Sequence, residues 1–291
     1  MNKSVDAIIC CHTFKRWADI SSAIESLRRQ TLRPNSIILV VDHNNELFKK
    51  ASATFTDVLV CENDRHKGLS GARNSGIARA TSRFIAFLDD DAVAEEDFLD
   101  LLVDECSKHD VLGATARVEP FWLGTIPRWL PRSFYWTIGC SHHEGFEARL
   151  NVRNVSGGAA VYKREMFDDT FCFSPELGRN GTRSLLSCEE TDLCIRAAKL
   201  FKGARFVFVR DAVVHHRVPA ARTSFHYFLQ RCFFEGVSKY RLKKSIQSRI
   251  YYQTKNIMSS LCYTVSPFVS ELVPCIRPPL VSLGGDLKPA L

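Results

Sequence analysis

The chain has 291 residues, 45% of them hydrophobic and 24% charged, an ordinary globular composition that suffices for one large domain with an extension. Its formal net charge of +7 fits an anionic substrate such as a nucleotide, or an anionic membrane surface. The basic residues do not form a dense block of Lys and Arg, which argues against a nucleic-acid partner. The 11 cysteines include no C-x-x-C pair, so we expect reduced thiols rather than a disulfide framework or a zinc site.

Two further observations bear on where the protein works. No apolar run reaches the roughly 18 residues that a membrane-spanning helix requires. The first residues run directly into a strand-like segment at Val5 and lack the pattern of a signal peptide. We therefore expect a cytoplasmic protein, with at most peripheral contact at the inner face of the membrane.

The first half of the chain alternates between short apolar runs and segments with helical spacing. Four predicted strands share an unbroken apolar character, and they lie at residues 5–11, 37–41, 58–61 and 84–88. The predicted helices between them lie at residues 20–30, 46–53 and 68–80, and Ser70 is the expected N-cap of the third. This alternation predicts an α/β, Rossmann-like fold with a mostly parallel sheet and helices on both faces.

The second half of the chain is less regular. The predicted elements are an irregular surface segment at 120–131, a strand at 157–162 that other backbone approaches closely, a helix at 188–200, and short strands at 206–209 and 212–214. A basic, aromatic stretch from residue 223 predicts one or two helices. We therefore expect a nucleotide-binding and catalytic domain at 1–222, a helical extension packed on it at 223–265, and an irregular tail at 266–291.

Three consecutive aspartates follow the fourth predicted strand. Asp89, Asp90 and Asp91 come directly after the apolar run 84–88, at the strand end where open α/β sheets bind their ligands. Adjacent desolvated carboxylates repel each other and either take up protons or bind a cation. Carboxylate oxygens suit Mg²⁺ or Mn²⁺, which such sites share with substrate phosphates. The run predicts a metal and phosphate site, with a solvated acidic turn as the simpler alternative.

Other polar groups are expected at the same edge of the sheet. Asp42 ends the second strand, where it can accept hydrogen bonds from a base or ribose or serve only as a turn residue. His12 and Thr13 lie in the loop after the first strand, and His12 alone is as compatible with packing as with function. Residues 68–74 open a helix with two glycines, which lets a nucleotide approach the backbone.

Two later pairs carry ionisable groups. Glu189 and Glu190 open a helix, where a carboxylate can take a proton from an acceptor hydroxyl, or where its charge can simply complement the helix dipole. His215 and His216 lie at a strand end, where a histidine can complete a metal site or contact a diphosphate.

The order of these motifs resembles family 2 glycosyltransferases of the GT-A fold. The motifs are Gly-Leu-Ser-Gly-Ala-Arg-Asn, Phe-Leu-Asp-Asp-Asp, Gly-Gly-Ala-Ala, Cys-Glu-Glu-Thr-Asp-Leu and His-His-Arg-Val-Pro. With Val-Asp-His-Asn and Arg-Cys-Phe-Phe-Glu-Gly-Val-Ser-Lys, the sequence is similar to the subgroup of glucosyl-dolichyl phosphate glucuronosyltransferases. The resemblance covers roughly residues 5–239 and implies a glycosyltransferase with a nucleotide-sugar donor, most often UDP-linked, and Mn²⁺ or Mg²⁺ as its cofactor.

The resemblance also implies which residues bind the donor. His12 and Thr13 fall in the loop that holds the nucleobase and ribose, where an aromatic residue is expected in place of His12. Asp42 falls at the base-binding acid and Arg73 at the nucleotide-contacting arginine. Asp90 is counted with the donor-binding residues, although alternation along a strand end points its side chain to the other face.

The metal site and the base follow from the same resemblance. Asp89 and Asp91 match the Asp-x-Asp motif, with Asp91 as the direct ligand, and His215 is the histidine expected to face the metal and diphosphate. Glu190 replaces the usual Asp of the general base, and the added methylene keeps Glu189 open as the proton acceptor. One base and in-line attack imply inversion at the anomeric carbon.

Two other functions are compatible with the fold. A sugar nucleotidyltransferase also binds a metal through carboxylates, but it usually carries a glycine-rich loop after the first strand, and residues 12–16 contain no glycine. A non-catalytic nucleotide-sugar binding protein does not need both the aspartate pair, Asp89 and Asp91, and the glutamate pair that follows residue 188. Both pairs are present, which favours an enzyme. The acceptor is an unidentified hydroxyl compound, a lipid-linked sugar or another glycan, and we expect its pocket around Trp122, Trp129, Trp136 and residues 177–179.

Overall fold

The computed structural model describes residues 2–141, 148–168, 170–179 and 185–265, with side chains up to residue 247. The chain divides into two compact units, Met1–Leu242 and Lys243–Leu291. The predicted tail at 266–291 lies outside the described residues. Among the helices that are described, none is long and apolar enough to cross a membrane.

Nine strands and six α-helices make up the described part of the chain. The strands are β1 (Val5–Cys11), β2 (Ser36–Val41), β3 (Leu59–Glu62), β4 (Phe84–Asp89), β5 (Ala92–Ala94), β6 (Val111–Trp122), β7 (Arg149–Val152), β8 (Ala159–Lys163) and β9 (Arg205–Val218). The helices are α1 (Trp17–Arg28), α2 (Asn45–Thr54), α3 (Leu69–Ile77), α4 (Phe98–Cys106), α5 (Glu189–Leu200) and α6 (Phe225–Val265). The α/β class and the first four predicted strands are confirmed.

The strands form one mixed sheet in the order β3-β2-β1-β4-β8-β6-β9-β5, and β7 pairs with β9. The first four strands of this order are parallel, as predicted, while β8 is antiparallel to both β4 and β6. β9 is parallel to β6 and antiparallel to β5 and β7. Because β1, β2 and β4 run in the same direction, their polar end residues meet at one edge of the sheet.

Apolar side chains cover both faces of the sheet, which explains the unbroken apolar strands. On one face, Ile9 and Leu39 pack with α1, α2 and α4. On the other, Ile8 and Ile38 pack with α3 and α5. Successive residues of a strand therefore serve opposite cores, so nearly every buried position is apolar. Asp6 in β1 is a buried exception, and its carboxylate accepts hydrogen bonds from Thr81 N and Ser82 N at 2.8 Å.

Two strand predictions differ from the structure. The predicted strands at 206–209 and 212–214 are one strand, β9, which continues through a bulge in its register against β6. Residues 120–122 complete β6 rather than beginning an irregular segment.

The start of α3 is held by contacts that the sequence did not reveal. Gly68, not Ser70, occupies the N-cap position, with φ of 119°. The Ser70 hydroxyl instead donates to Leu177 O at 2.8 Å, so the prediction of Ser70 as the cap is wrong. A Cβ at Gly71 would lie 1.7 Å from the backbone oxygen of His66, so this turn requires a glycine.

Candidate functional site

A cavity of about 980 Å³ opens where the parallel strands end. It is lined by the loops after β1, β2 and β4, the starts of α3 and α5, and one face of α6. Its charged and imidazole side chains include His12, Arg16, Asp42, Arg73, Asp89, Asp90, Asp91, Arg179, Glu189, Glu190, His216, Arg231, Glu235 and Lys239. The structure thus brings together most of the acidic, basic and imidazole groups that the motifs singled out, with His215 as an exception.

The aspartate run ends β4 inside this cavity. Asp90 and Asp91 are buried, whereas the side chain of Asp89 is 40% exposed. Arg16 pairs with both buried residues, through Nη1 to Asp90 and through Nη2 to Asp91 Oδ2 at 3.0 Å. Arg222 Nη2 lies 3.4 Å from the same Asp91 oxygen. The run is therefore a charge-paired site and not a solvated turn. Arg16 lies in the loop after the first strand, which the sequence placed at this edge without giving Arg16 a role, and Arg222 was not predicted here.

The two buried aspartates differ in protonation. Burial raises the pKa of Asp90 to about 7, although the charge of Arg16 opposes it. Burial acts in the same direction on Asp91, but the hydrogen bond and charge of His216, together with Arg16 and Arg222, hold the pKa of Asp91 below its usual range. Asp91 is thus the buried aspartate that stays ionised, which a metal ligand must be.

His216, not His215, faces the aspartates. His216 Nε2 lies 3.4 Å from Asp91 Oδ1, whereas His215 Nε2 lies 2.9 Å from Glu95 Oε1. The two histidines are successive residues of β9, so they point to opposite faces of the sheet. Ligand atoms of Asp89, Asp91 and His216 lie within 4.8 Å of one another. The structure therefore places His216 in this cluster, and not His215, which the sequence predicted there.

Arg73 on α3 joins the aspartate run to the acid pair of α5. Its side chain is 3% exposed, and Nη1 lies 3.0 Å from Glu190 Oε1 and 3.3 Å from Glu189 Oε1. Nη2 lies 3.7 Å from Asp89 Oδ1. Burial alone would lower the pKa of Arg73, but the charges of Glu190, Glu189 and Asp89 raise it above its usual range. A charged guanidinium therefore stands between three carboxyl groups.

The two glutamates have different surroundings. Glu189 is buried, and its Oε2 has no hydrogen-bond partner among the described atoms. Burial and the charge of Glu190 raise the pKa of Glu189 to about 8, although Arg73 opposes the shift. The side chain of Glu190 is 18% exposed and lines the cavity. Because a base must be within reach of the proton that it accepts, the more exposed Glu190 is the better placed of the two carboxylates for that role.

Two glycines before β8 pass beside these acids. A Cβ at Gly157 would lie 2.1 Å from Glu190 Oε1, and one at Gly158 would lie 2.1 Å from Asp89 Cγ. The sequence predicted that backbone approaches this segment, and Asp89 N does donate a hydrogen bond to Gly158 O at 3.0 Å. The groups that take the place of the two missing side chains are carboxylates, and β8 begins only at Ala159. The missing side chains provide the space that Glu190 and Asp89 occupy.

Of the residues expected to hold the nucleoside, two line the cavity. Asp42 accepts hydrogen bonds from Asn63 Nδ2 at 2.7 Å and from the backbone N–H at the N-cap of α3 at 3.0 Å. His12 also lines the cavity, and burial lowers the pKa of its imidazole. Thr13 is not among the lining residues; its hydroxyl accepts a hydrogen bond from Lys15 N at 3.3 Å at the start of a short 3₁₀ helix.

The contribution of α6 to the cavity was not predicted. Arg231, Glu235 and Lys239, four residues apart, line it with one face of the helix. Ser187 Oγ donates to Glu235 Oε2 at 2.8 Å, and Ser187 N donates to Ser238 Oγ at 3.0 Å. These bonds fasten α6 to the segment that precedes α5. The four-residue spacing was the available signal, but the sequence did not show which face packs inward.

Part of the expected acceptor region also lies at the cavity. Trp136 and Arg179 line it, and the guanidinium of Arg231 lies 5.5 Å from the Trp136 ring centroid. Trp122 and Trp129 are not among the lining residues; they pack against other aromatic rings outside the cavity.

The sequence model of Glycosyl transferase family 2 matches residues 7–171, more than half of the chain. The chain belongs to this family. A glucosyl-dolichyl phosphate glucuronosyltransferase of Haloferax volcanii is 32% identical to this family 2 glycosyltransferase over 240 residues, which are 81% of this chain and 76% of that protein. The predicted family and enzyme class are confirmed.

Solved structures show the same fold as this glycosyltransferase. GalNAc-T7, solved with UDP, GalNAc and Mn²⁺, superposes with a TM-score of 0.56 at 17% identity, over 74% of this chain and 44% of that chain. S. aureus TarS, in complex with UDP, superposes with a TM-score of 0.50 at 16% identity, over 74% of this chain and 60% of that chain. The match spans less than two thirds of either structure and supports the GT-A-like fold.

Proposed function

We propose that this protein is an inverting, metal-dependent glycosyltransferase that moves a sugar from a UDP-linked donor to the hydroxyl of a lipid-linked acceptor. The observation that carries the proposal is the arrangement of one cavity: the cluster of Asp89, Asp91 and His216 lies at one side of Arg73, and the pair Glu189 and Glu190 lies at the other.

The chemistry of the aspartate cluster fits a divalent cation. Two carboxylates and one imidazole within 4.8 Å form a donor set that suits Mn²⁺, and hard oxygen ligands also accept Mg²⁺. The Nδ1 atom of His216 is buried without a partner among the described atoms. In the proposed site, Asp89, Asp91 and His216 hold the cation, which offsets the charge that develops on the leaving diphosphate when it is bound.

The donor is proposed to lie between Asp42 and the aspartate cluster. Asp42 follows β2 directly and offers carboxylate oxygens to the base, while His12 offers a ring that can stack on it. Arg16 and Arg222 lie against Asp91 and can also neutralise a diphosphate. The UDP found in the structures of GalNAc-T7 and TarS supports uridine as the nucleoside.

Glu190 is the proposed general base. It takes the proton from the acceptor hydroxyl, whose oxygen forms a bond to the anomeric carbon as the bond from that carbon to the diphosphate breaks. Attack from the side opposite the leaving group inverts the anomeric configuration. Glu189, buried and protonated, positions Arg73, and Arg73 in turn holds Glu190.

The name of the Haloferax volcanii relative supports a dolichyl-type acceptor. Trp136 and Arg179, which line the cavity, are the side chains proposed to contact the sugar and phosphate of such a substrate. An acceptor of this kind places the reaction at a membrane surface, which we propose is the inner face of the cytoplasmic membrane.

Thermal unfolding with Mn²⁺ and each of UDP, GDP, CDP and dTDP tests the donor and metal assignments. We expect the largest stabilisation with UDP and Mn²⁺ together, because only the folded protein binds them. Asp91→Asn and His216→Gln should remove the part of this stabilisation that depends on Mn²⁺. His215→Gln is the matched control, and it should retain that part. Full stabilisation of the His216→Gln variant, or its loss in the His215→Gln variant, would show that the metal site is wrong.

Turnover of UDP-sugars with the same metals tests the reaction. We expect metal-dependent release of UDP and a product whose anomeric configuration is opposite to that of the donor. Retention of configuration contradicts the single-base mechanism. No turnover of any nucleotide sugar, despite stabilisation by UDP, contradicts the proposed catalytic function.

A further inference from the structure

Large apolar side chains are exposed in two segments that pack together. Seven of them, which we call the apolar rim, are Leu123, Ile126, Trp129, Phe134, Phe225, Leu229 and Phe233. The Trp129 ring lies 5.4 Å from Phe225 and 5.5 Å from Phe228, and Phe134 lies 5.4 Å from Phe228. These ring contacts join the two segments into one exposed apolar surface. A continuous apolar surface of this kind is unusual on a protein that faces only water.

The start of α6 presents different chemistry on its two sides. Arg231, Glu235 and Lys239 line the cavity, whereas Phe225, Leu229 and Phe233 repeat every four residues on another side and are exposed. Phe233 is 68% exposed and Leu229 is 52% exposed. An apolar stripe of this kind, on a helix whose other side is committed to the site, is available to an outside partner.

The charge around the apolar rim is positive. Residues 121–141 contain Arg128 and Arg132 but no Asp or Glu. In the part of α6 that carries the rim, Glu235 is the acid, and it pairs with Arg231 at 3.1 Å and Lys239 at 3.5 Å. Arg128 and Arg241 are exposed. Exposed aromatic residues bordered by arginines match the boundary between acyl chains and anionic headgroups.

We infer that the apolar rim docks this protein on an anionic lipid bilayer, with the aromatic side chains in the interface and the arginines on the headgroups. A second copy of the chain is a poorer occupant, because a symmetric contact through the rim would bring like-charged arginines together. The rim also continues to the cavity, since Trp136 lies in the first segment and lines it.

The role of this docking rests on the proposed function, in which the acceptor is linked to a lipid. A lipid-linked acceptor keeps its chain in the bilayer, and a rim that reaches Trp136 would place the cavity next to the headgroup layer. The sugar end of the acceptor could then enter without the lipid leaving the membrane.

Co-sedimentation of the full chain with vesicles tests the inference. Vesicles of phosphatidylcholine alone are compared with vesicles that also contain phosphatidylglycerol, at low and high salt. We expect binding to the anionic vesicles that weakens as salt rises. Phe233→Ser should reduce it by roughly tenfold and Arg241→Ser by about fivefold, the second only on anionic vesicles. Leu229→Ser should act in the same direction as Phe233→Ser.

Leu200→Ser is the matched control, because Leu200 is 62% exposed at the end of α5 and outside the rim. We expect it to bind vesicles as the unchanged protein does. Equal binding by the Phe233→Ser and Leu200→Ser variants would overturn the inference. So would a dimer, seen by light scattering, that Phe233→Ser converts to a monomer while vesicles bind neither form.

UDP-sugar turnover in water separates this inference from the proposed function. Phe233 and Leu229 do not line the cavity, so their variants should keep the turnover of the unchanged protein without vesicles. Vesicle binding without any turnover supports the docking surface and contradicts the proposed function. Turnover without vesicle binding supports the proposed function and overturns the docking surface.

Discussion

Arg73→Met tests whether a buried cation holds the two acid groups of the site together. The side chain of Arg73 is 3% exposed, and its guanidinium pairs with the carboxylates of Glu190 at 3.0 Å and Asp89 at 3.7 Å. Removal of one partner from a buried ion pair typically costs about 3–5 kcal/mol, because the remaining charge has no compensation. We expect a decrease of that size in the free energy of unfolding, measured by urea denaturation.

The decrease should depend on pH because Glu189 can take up a proton. The pKa of Glu189 is raised from 4.5 to about 8, so between these values the folded protein holds a proton that the unfolded chain has released. The stability from this group is complete below pH 4.5 and is lost as the pH rises through about 8. Without Arg73, whose charge lowers the pKa of Glu189, the folded protein keeps the proton to higher pH. The cost of Arg73→Met should therefore grow above pH 8.

Arg79→Met provides the control, in the turn that follows the same helix. Arg79 pairs with Asp64 at 3.2 Å, but the two side chains are 30% and 55% exposed. A surface pair of this kind contributes about 0–1 kcal/mol. A loss for Arg73→Met no larger than that for Arg79→Met, or one that stays constant above pH 8, would refute the reasoning.

Three further predictions concern the same site and its support. Glu190→Gln should lower UDP-sugar turnover by about 100-fold or more, whereas Glu189→Gln should lower it less, and equal losses would contradict the assignment of the base. Glu189→Gln should also flatten the dependence of unfolding free energy on pH between 4.5 and 8, because it removes the group that titrates there; an unchanged slope would count against the raised pKa. Gly71→Ala should lower the melting temperature by several degrees, because its Cβ would meet backbone at His66, whereas Gly236→Ala, with open space around it, should not; equal melting temperatures would contradict the contact.

The fold was predictable where local pattern and burial agreed. β1 and β4 are buried on both faces, so each appears in the sequence as one apolar run, and the predicted bounds of β1 are those observed. β6 carries Arg117, Glu119 and Pro120 and was not predicted, since its pairing with β9 decides its conformation. The polar pair at residues 210–211 suggested a break in β9, but the strand continues through a bulge.

The sequence predicted which strand ends form the site, but it did not predict which side chains point into the cavity. Asp89 and Asp91 follow a parallel strand, and that position alone brings them to the cavity. The choice between His215 and His216 depends on the register of β9 against β5, which no local pattern contains. The place of Glu189 beneath Arg73 likewise depends on how α5 packs on α3.

The two glycines before β8 bear on how this protein tolerates change. At Gly157 and Gly158 the nearest obstacle to a side chain is the movable end of a carboxylate and not backbone. An alanine at either codon can therefore be accommodated by displacing Glu190 or Asp89 while the rest of the domain stays folded. A gene copy with such a change would yield a protein of normal abundance with an intact cavity but misplaced acids. At these positions, one methyl group would displace an acid on which the proposed reaction depends.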